Sequence, residues 1–290
     1  MASSSSSPSR LVVGVDGSHL SRAAVQWAAH SAQLRGLDLH LVHALAGDLP
    51  MLGFGSRSDQ EAIHSAGSAV LEGAKHLAHT VAPEVTVTTS CRKGFASQAL
   101  VDASKIAAGV VVGAAGHGVL HRSSVGAVAM QVATHAKCPV AVIPRETATE
   151  MGYGVVLTGF DRSTTAAKAL QRAFDHALVR GARLHVIHAW EARSNDPRSM
   201  DAHQGWSDYV GEMEDLIAQS LSDRRAAHPE VEVTTEIVRG DPRRVVADRG
   251  TGADLIVIGA RGDGGFPGLN LGRVALHTMG HSVCPVILLR

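Results

Sequence analysis

The stretch Leu255–Arg273 reads LIVIGARGDGGFPGLNLGR and joins an apolar run to a glycine-rich loop. Two residues separate Gly259 from Gly262, and nine separate Gly262 from Gly272. The apolar run is typical of a buried strand, and a helix is predicted to begin after Gly272. A glycine loop between a strand and a helix lets the backbone approach a ligand closely, but one such loop is a weak signal.

The same glycine frame occurs a second time, earlier in the chain. The stretch Val110–Ala127 reads VVVGAAGHGVLHRSSVGA and contains Gly113, Gly116 and Gly126 at the same spacing. Further pairs recur at an offset of 145 or 146 positions, namely Asp16 with Asp161, Gly36 with Gly181, Gly94 with Gly240, and Cys138 with Cys284. Because this period far exceeds that of solenoid repeats, we predict a tandem duplication of two complete domains.

Each half alternates strands with helices. In the first half, strands are predicted at Leu11–Val15, Leu37–Ala44, Val85–Cys91, Val110–Gly113 and Pro139–Ile143. Helices are predicted at His19–Leu34, Glu61–Val81, Ala96–Ala107 and Val125–His135. This alternation predicts an α/β fold of two tandem Rossmann-like (flavodoxin-like) domains, each a five-stranded parallel sheet of order 3-2-1-4-5 flanked by helices.

The duplication also sets the predicted domain boundaries. Residues 1–9 are a polar, Ser-rich lead that we expect to be disordered, and residues 10–146 form the first domain. Residues 147–152 are the predicted linker, and residues 153–290 form the second domain.

Composition argues against several classes of partner. Lysines plus arginines equal aspartates plus glutamates at 27 each, so no global basic field recruits nucleic acid or an anionic membrane. No apolar run approaches the length of a membrane-spanning helix. Cys91, Cys138 and Cys284 are single and far apart, which predicts neither a disulfide framework nor a zinc site. We therefore expect a cytoplasmic protein without nucleic-acid or membrane partners.

The duplicated residues predict a crevice in each half. Ligands of open parallel sheets bind beyond the carboxyl ends of the strands, where the strand order reverses. Asp16 ends the first strand and Gly113 ends the fourth, and these two strands are neighbours in the predicted order. Asp161 and Gly259 hold the same positions in the second half. A carboxylate and a glycine loop thus face each other across each crevice.

This pairing suits a nucleotide. Glycine amides and the following helix N-terminus favour phosphates, while an aspartate accepts hydrogen bonds from a ribose or an adenine. Neither loop ends in the Gly-Lys-Ser/Thr of a P-loop, so a Walker-type NTPase is not predicted. The first strands are followed by DGS or DRS rather than GxGxxG, which argues against the usual dinucleotide fold.

The combination of motifs resembles the universal stress protein family, in its tandem-domain actinobacterial form. The resemblance rests on the G-x-x-G-x9-G loops, the opening VGVDGS, the strand HLVHA and the final CPV strand, and it extends from Leu11 to Arg290. It implies ATP in each domain, with Mg²⁺ held by the phosphates, and no catalytic or metal-binding residue of the protein.

The resemblance also implies the site residues by position. In the first domain they are Gly14, Asp16, Ala44, Gly113, Gly116, His117, Gly118, Gly126, Ala127 and Val128. In the second domain they are Gly159, Asp161, Ala189, Gly259, Arg261, Gly262, Asp263, Gly264, Gly272, Arg273 and Val274.

Two positions depart from the family pattern, which has Ser or Thr directly after the last glycine. Ala127 removes that hydroxyl and keeps the backbone N–H, whereas Arg273 offers a charged donor. The loops differ elsewhere too, since Ala115 corresponds to Arg261, and His117 corresponds to the acidic Asp263.

Three functions fit these features. The first is an ATP-binding regulator of a stress or growth-arrest response, acting through conformation or a regulatory protein partner. The second is a slow adenine-nucleotide hydrolase, for which residues 48–60 and 191–205 are the loops long enough to build a substrate pocket. The third is a nucleotide-free dimerisation or scaffold module. Homodimerisation through the terminal strands VAVIP and VILLR is expected in any case.

Other reactive side chains have simpler explanations. His40 and His43 lie three positions apart on one strand, so they face opposite sides and cannot bind the same ion. Ser18 and Ser163 show no companion His and Asp that would indicate a hydrolase triad. Aspartates after a strand are also common turn residues, so Asp16 can serve as a turn residue and as a ligand.

Overall fold

The computed structural model describes residues 9–45, 57–116, 125–144, 152–191, 204–262 and 270–290. The chain divides into two compact units, Met1–Thr147 and Ala148–Arg290, and the division falls inside the predicted linker. Each unit is described by itself below. Within the described residues, no helix is long and apolar enough to cross a bilayer.

The first unit is a parallel sheet with helices between its strands. Its strands are β1 (Arg10–Gly14), β2 (Asp38–Leu45), β3 (Val87–Lys93), β4 (Gly109–Gly113) and β5 (Val140–Ile143). Its helices are α1 (His19–Arg35), α2 (Arg57–Val81), α3 (Ala96–Ala103) and α4 (Ala127–His135). β1 pairs with β2 and β4, β2 also pairs with β3, and β4 also pairs with β5, all in parallel. The strand order is therefore 3-2-1-4-5, which confirms the predicted fold.

The second unit repeats this architecture element for element. Its strands are β6 (Val155–Gly159), β7 (Arg183–Trp190), β8 (Val233–Arg239), β9 (Leu255–Gly259) and β10 (Val286–Leu289). Its helices are α5 (Thr164–Arg180), α6 (Gln204–Ala227), α7 (Pro242–Gly250) and α8 (Arg273–His281). The pairings again place the strands in the order β8-β7-β6-β9-β10, so the duplication read from the sequence is a duplication of structure.

Both cores consist mainly of Ala, Val, Leu and Ile. The central strands are apolar along their whole length because helices cover both faces of a parallel sheet. Alanines on the inner faces of α1 and α5 let these helices approach the sheet closely, as Ala28 and Ala173 do with no exposed surface. Cys138 and Cys284 are buried within these cores as small apolar residues.

Side-chain hydrogen bonds set the helix ends. The hydroxyl of Ser18 accepts from the N–H of Ser21 at 3.1 Å, so Ser18 caps α1, and Ser163 caps α5 in the same way. The helix predicted to reach Ala107 ends four residues earlier, at Ala103, and continues as a short 3-10 turn. There the Ser104 hydroxyl donates to the carbonyl of Val101, which competes with the helical hydrogen bonds, and it accepts from the N–H of Lys137.

Candidate functional site

A cavity of about 430 Å³ lies in the first unit at the carboxyl ends of β1 and β4. This is where the strand order reverses, because β1 continues to β2 on one side and to β4 on the other. Eight of the residues predicted for the first site line it, namely Gly14, Asp16, Ala44, Gly113, Gly116, Gly126, Ala127 and Val128. Its volume falls within the usual range for small-molecule sites.

The second unit has a matching cavity of about 340 Å³ at the ends of β6 and β9. Nine predicted residues line it, namely Gly159, Asp161, Ala189, Gly259, Arg261, Gly262, Gly272, Arg273 and Val274. The structure therefore brings together residues from four separate stretches of each half. The predicted residues His117, Gly118, Asp263 and Gly264 lie outside the described part of the chain.

The aspartate and the glycine loop are in direct contact across each cavity. One carboxylate oxygen of Asp16 accepts from the N–H of Ser18 at 2.9 Å and shapes the turn into α1. The other oxygen lies against Gly116, where a side-chain β-carbon would be only 2.6 Å away. Asp161 bonds Ser163 and lies against Gly262 in the same manner. The middle glycine of each frame is thus the residue that leaves space for the carboxylate.

The last glycine of each frame begins a helix whose N-terminus faces the cavity. The N–H of Gly126 donates to the carbonyl of Ala114 at 2.7 Å, which folds the loop back beside β4. No side chain caps this helix end, and the first amides of α4, at Ala127, Val128 and Ala129, line the cavity. Such an end presents free N–H donors and a partial positive charge, which together favour an anion.

The second unit adds charged side chains to the same backbone arrangement. Gly272 donates to the carbonyl of Ala260 at 2.7 Å and begins α8 without a side-chain cap. Arg261 and Arg273 line this cavity, whereas the first cavity has Ala115 and Ala127 in their places. Two arginines consequently line the second cavity at the positions where two alanines line the first.

The first glycine of each frame leaves space for a helix that packs against it. A β-carbon on Gly113 would lie 2.9 Å from the β-carbon of Leu20 in α1. Gly259 is similarly crowded by Thr165 of α5, whose hydroxyl donates to the carbonyl of Arg261. These two glycines line the cavities, but the reason for glycine at these positions is the close approach of α1 and α5 to the end of a central strand.

Comparison with known proteins settles the family. A family model described as "Universal stress protein family" matches residues 8–144 and matches again at residues 152–290. The chain belongs to the universal stress protein family.

Tandem relatives occur in mycobacteria. Universal stress protein Rv1996 of Mycobacterium tuberculosis is 32% identical, and the alignment covers 97% of this chain and 94% of the relative. Universal stress protein Rv2623 of the same organism is 31% identical, with 99% of this chain and 98% of the relative covered. A solved universal stress protein from Archaeoglobus fulgidus is similar in fold, with a TM-score of 0.72 at 18% identity, covering 97% of this chain and 96% of that structure.

The apolar wall of each cavity in this universal stress protein was not predicted from the sequence. Apolar side chains form one wall of the first cavity, with Val42 on β2 and Leu100 on α3. In the second cavity Ile187 on β7 and Val246 on α7 take those places. No motif marks Leu100 and Val246, because they reach the cavity only after β3 or β8 has positioned the following helix against the sheet. Val42 lies within the quoted strand HLVHA.

The second histidine of β2 and that of β7, His43 and His188, hold the chain after the first strand of each unit. The Nδ1 of His43 is 2.7 Å from the carbonyl of Val15, at the start of the turn that contains Asp16. His188 makes the same contact with Phe160, and its Nε2 is 2.6 Å from the hydroxyl of Tyr209. Burial is the main cause that lowers the pKa of His188, which therefore stays neutral near pH 7.

Proposed function

We propose that each unit of this universal stress protein binds one molecule of ATP, with Mg²⁺ held by its phosphates, and that the protein is a nucleotide-dependent regulator of a stress or growth-arrest response in the cytoplasm. One observation carries the proposal. In both units a carboxylate, a glycine loop in contact with it and an uncapped helix N-terminus surround a single cavity.

The proposed orientation of the nucleotide follows from the chemistry of each wall. The phosphates lie at the N-terminus of α4 or α8, because amide donors and the helix dipole favour negative charge there. The nucleoside lies toward Asp16 or Asp161, whose carboxylate accepts hydrogen bonds from hydroxyl or amino groups. Its flat base packs against the apolar wall that includes Leu100 or Val246.

Regulation fits this site better than rapid catalysis. A hydrolase needs a general base in reach of the terminal phosphate. The carboxylate of Asp161 lies against the glycine loop and bonds the following turn, and His188 is held by Phe160 and Tyr209. We therefore expect hydrolysis to be slow at most, and we propose that bound ATP changes association with a regulatory protein partner or a second copy of the chain.

The test is to denature the purified protein and identify the small molecules that it releases. Co-purified ATP, or saturable binding of added ATP–Mg²⁺ by equilibrium dialysis, supports the proposal. Absence of both would overturn it and would favour the nucleotide-free module. Sustained release of ADP or AMP at a rate well above the uncatalysed rate would favour the hydrolase.

A further inference from the structure

A second cavity in the first unit has no role in the proposed nucleotide site. It has a volume of about 510 Å³ and lies between α3 and the face of the sheet formed by β1, β2 and β3. We call it the basic groove, and its polar lining residues are Arg10, His40, Ser90, Arg92, Lys93, Gln98 and Asp102. The two cavities adjoin and share a single lining residue, Val42.

The cations of the basic groove have no carboxylate partner in the part of the chain that the structure describes. Among the described residues, no carboxylate forms an ion pair with Arg10, Arg92 or Lys93. The one acidic side chain that lines the groove, Asp102, already binds Lys105 at 2.7 Å. Three cations thus surround a cavity whose carboxylate is engaged elsewhere, which leaves a local positive field.

His40 forms the floor of the groove and is held neutral. The Thr88 hydroxyl donates to the carbonyl of Leu39, so it accepts from the Nδ1–H of His40 at 2.9 Å. The Nε2 of His40 therefore accepts from the Ser90 hydroxyl at 3.0 Å. Burial lowers the pKa of His40, and the nearby Arg10 and Arg92 lower it further. The positive charges of Arg10 and Arg92 therefore lie close to the imidazole.

The second unit has a different charge pattern at the equivalent place, where Val155 and Val238 replace the two arginines. There Glu236 stands at the strand position of Ser90, as the pairing registers of β3 and β8 show. Its carboxylate lies 3.2 Å from Nε2 of His185 and 2.6 Å from the guanidinium of Arg249. These contacts hold the pKa of Glu236 below its usual value. The second unit therefore supplies its own anion, and the first unit supplies cations without one.

We infer that the basic groove binds a phosphate monoester that carries an apolar group. The phosphoryl oxygens lie between Arg10 and Arg92, whose guanidinium groups bind phosphate through paired hydrogen bonds. The apolar group packs on Phe95 and Ile106, which line the groove with 82% and 61% of their surface exposed. Large apolar side chains exposed beside a charged pocket are typical of a binding surface.

The experiment titrates the full-length protein with phenyl phosphate and with inorganic phosphate by calorimetry. We expect phenyl phosphate to bind in the basic groove more tightly than inorganic phosphate, because only the former contacts Phe95 and Ile106. The variant Arg10→Gln/Arg92→Gln should weaken the binding of phenyl phosphate by at least about tenfold. A matched variant, Arg22→Gln/Arg172→Gln, removes the same charge elsewhere in the chain and should leave binding unchanged.

A second variant tests the groove by imitating the other unit. Ser90→Glu places a carboxylate where Glu236 stands in the second unit, so it should abolish phenyl phosphate binding while the far-UV circular dichroism stays unchanged. The NMR signals of the His40 ring should shift when phenyl phosphate binds to the unaltered protein. The inference is overturned if the unaltered protein does not bind phenyl phosphate, or if Arg10→Gln/Arg92→Gln and Ser90→Glu bind it as the unaltered protein does. Equal affinity for the two probes would contradict the assigned contact with Phe95 and Ile106.

Discussion

The two candidate nucleotide sites share a backbone and differ in charge. Both close their loops with the same hydrogen bond, from Gly126 to Ala114 and from Gly272 to Ala260, at 2.7 Å in each case. Ala127 follows the last glycine in the first unit, and Arg273 follows it in the second. After the duplication the glycines and aspartates kept the positions that the fold requires, while side chains that do not affect the backbone diverged. We therefore propose that the two sites bind ATP with different affinities.

The largest expected effect comes from filling one site. Gly262→Glu brings a side chain against Asp161 and places a carboxylate before the N-terminus of α8. Overpacking alone costs about 1–3 kcal/mol, and the added charge repels phosphate, so we expect ATP affinity at the second site to fall on the order of 100-fold. Equilibrium dialysis should then count one fewer bound ATP per chain.

Two matched variants complete this experiment. Gly116→Glu should remove the first site and leave the second, because Gly116 makes the same contact with Asp16. Gly73→Glu adds the same charge on α2, where a β-carbon meets nothing within 4 Å, and should leave both sites intact. Unchanged binding in Gly262→Glu would show that the Gly262 loop does not hold the nucleotide.

A smaller effect is expected from exchanging the residues after the last glycines. Arg273→Ala makes the second site resemble the first and should weaken ATP binding there by about threefold to tenfold, since an exposed guanidinium is partly screened by solvent. Ala127→Arg should strengthen the first site by a similar factor. Calorimetry at low and high salt measures both changes, and an equal loss of adenosine affinity in Arg273→Ala would argue against a contact with phosphate.

The second unit should also lose stability in mild acid. His188 has its pKa lowered from 6.5, mainly by burial, so the folded unit holds it neutral while the unfolded chain takes up a proton below about pH 6.5. The contribution of His188 to the free energy of unfolding is complete above about pH 6.5. It is lost as the pH falls toward the pKa of His188 in the folded unit, by up to about 1.4 kcal/mol per pH unit.

Urea unfolding at about pH 7.5 and about pH 5.5 measures this loss by tryptophan fluorescence, to which Trp190 and Trp206 contribute from the second unit and Trp27 from the first. His188→Gln should unfold at lower urea at the higher pH and show a weaker dependence on pH. The same pH dependence in His188→Gln as in the unaltered protein would assign the loss to other groups.

The smallest effects are expected in the turn after each aspartate. Gly17 has φ 82° and Arg162, its counterpart, has φ 70°, a left-handed conformation that costs a residue with a β-carbon about 1 kcal/mol. Arg162 is 3.6 Å from Glu212 in an exposed ion pair, which offsets little of this strain. We expect Arg162→Gly to stabilise the second unit by about 0.5–1 kcal/mol and Gly17→Ala to destabilise the first by about 1 kcal/mol. The midpoint temperature of thermal unfolding should therefore rise in Arg162→Gly and fall in Gly17→Ala.

The fold could be predicted from the sequence because its signals are local and repeated. Apolar runs, Gly36 and Gly181 at helix ends, and one offset shared by both halves define the elements and their order. The helix ending at Ala103 was predicted too long, because the hydroxyl of Ser104 accepts from the N–H of Lys137, a contact that joins segments 33 residues apart. Such contacts leave no periodic trace in a sequence.

The candidate sites were predictable where a sequence motif or the family resemblance marks a position. Leu100 and Val246 line the cavities from helices that the motifs do not include. Gly113 lines the first cavity, and the packing of Leu20 against it was not predicted. The basic groove had no signal at all, because Arg10, His40 and Arg92 come together only when three strands pair in register.

Calorimetric titration of the unaltered protein, freed of bound nucleotide, with ATP–Mg²⁺ tests the central claim most directly. Two occupied cavities of unequal charge predict a biphasic isotherm with two ATP bound per chain, in which the tighter phase disappears in Gly262→Glu. A single phase with one ATP per chain, or no binding at all, would contradict the account of two unequal nucleotide sites.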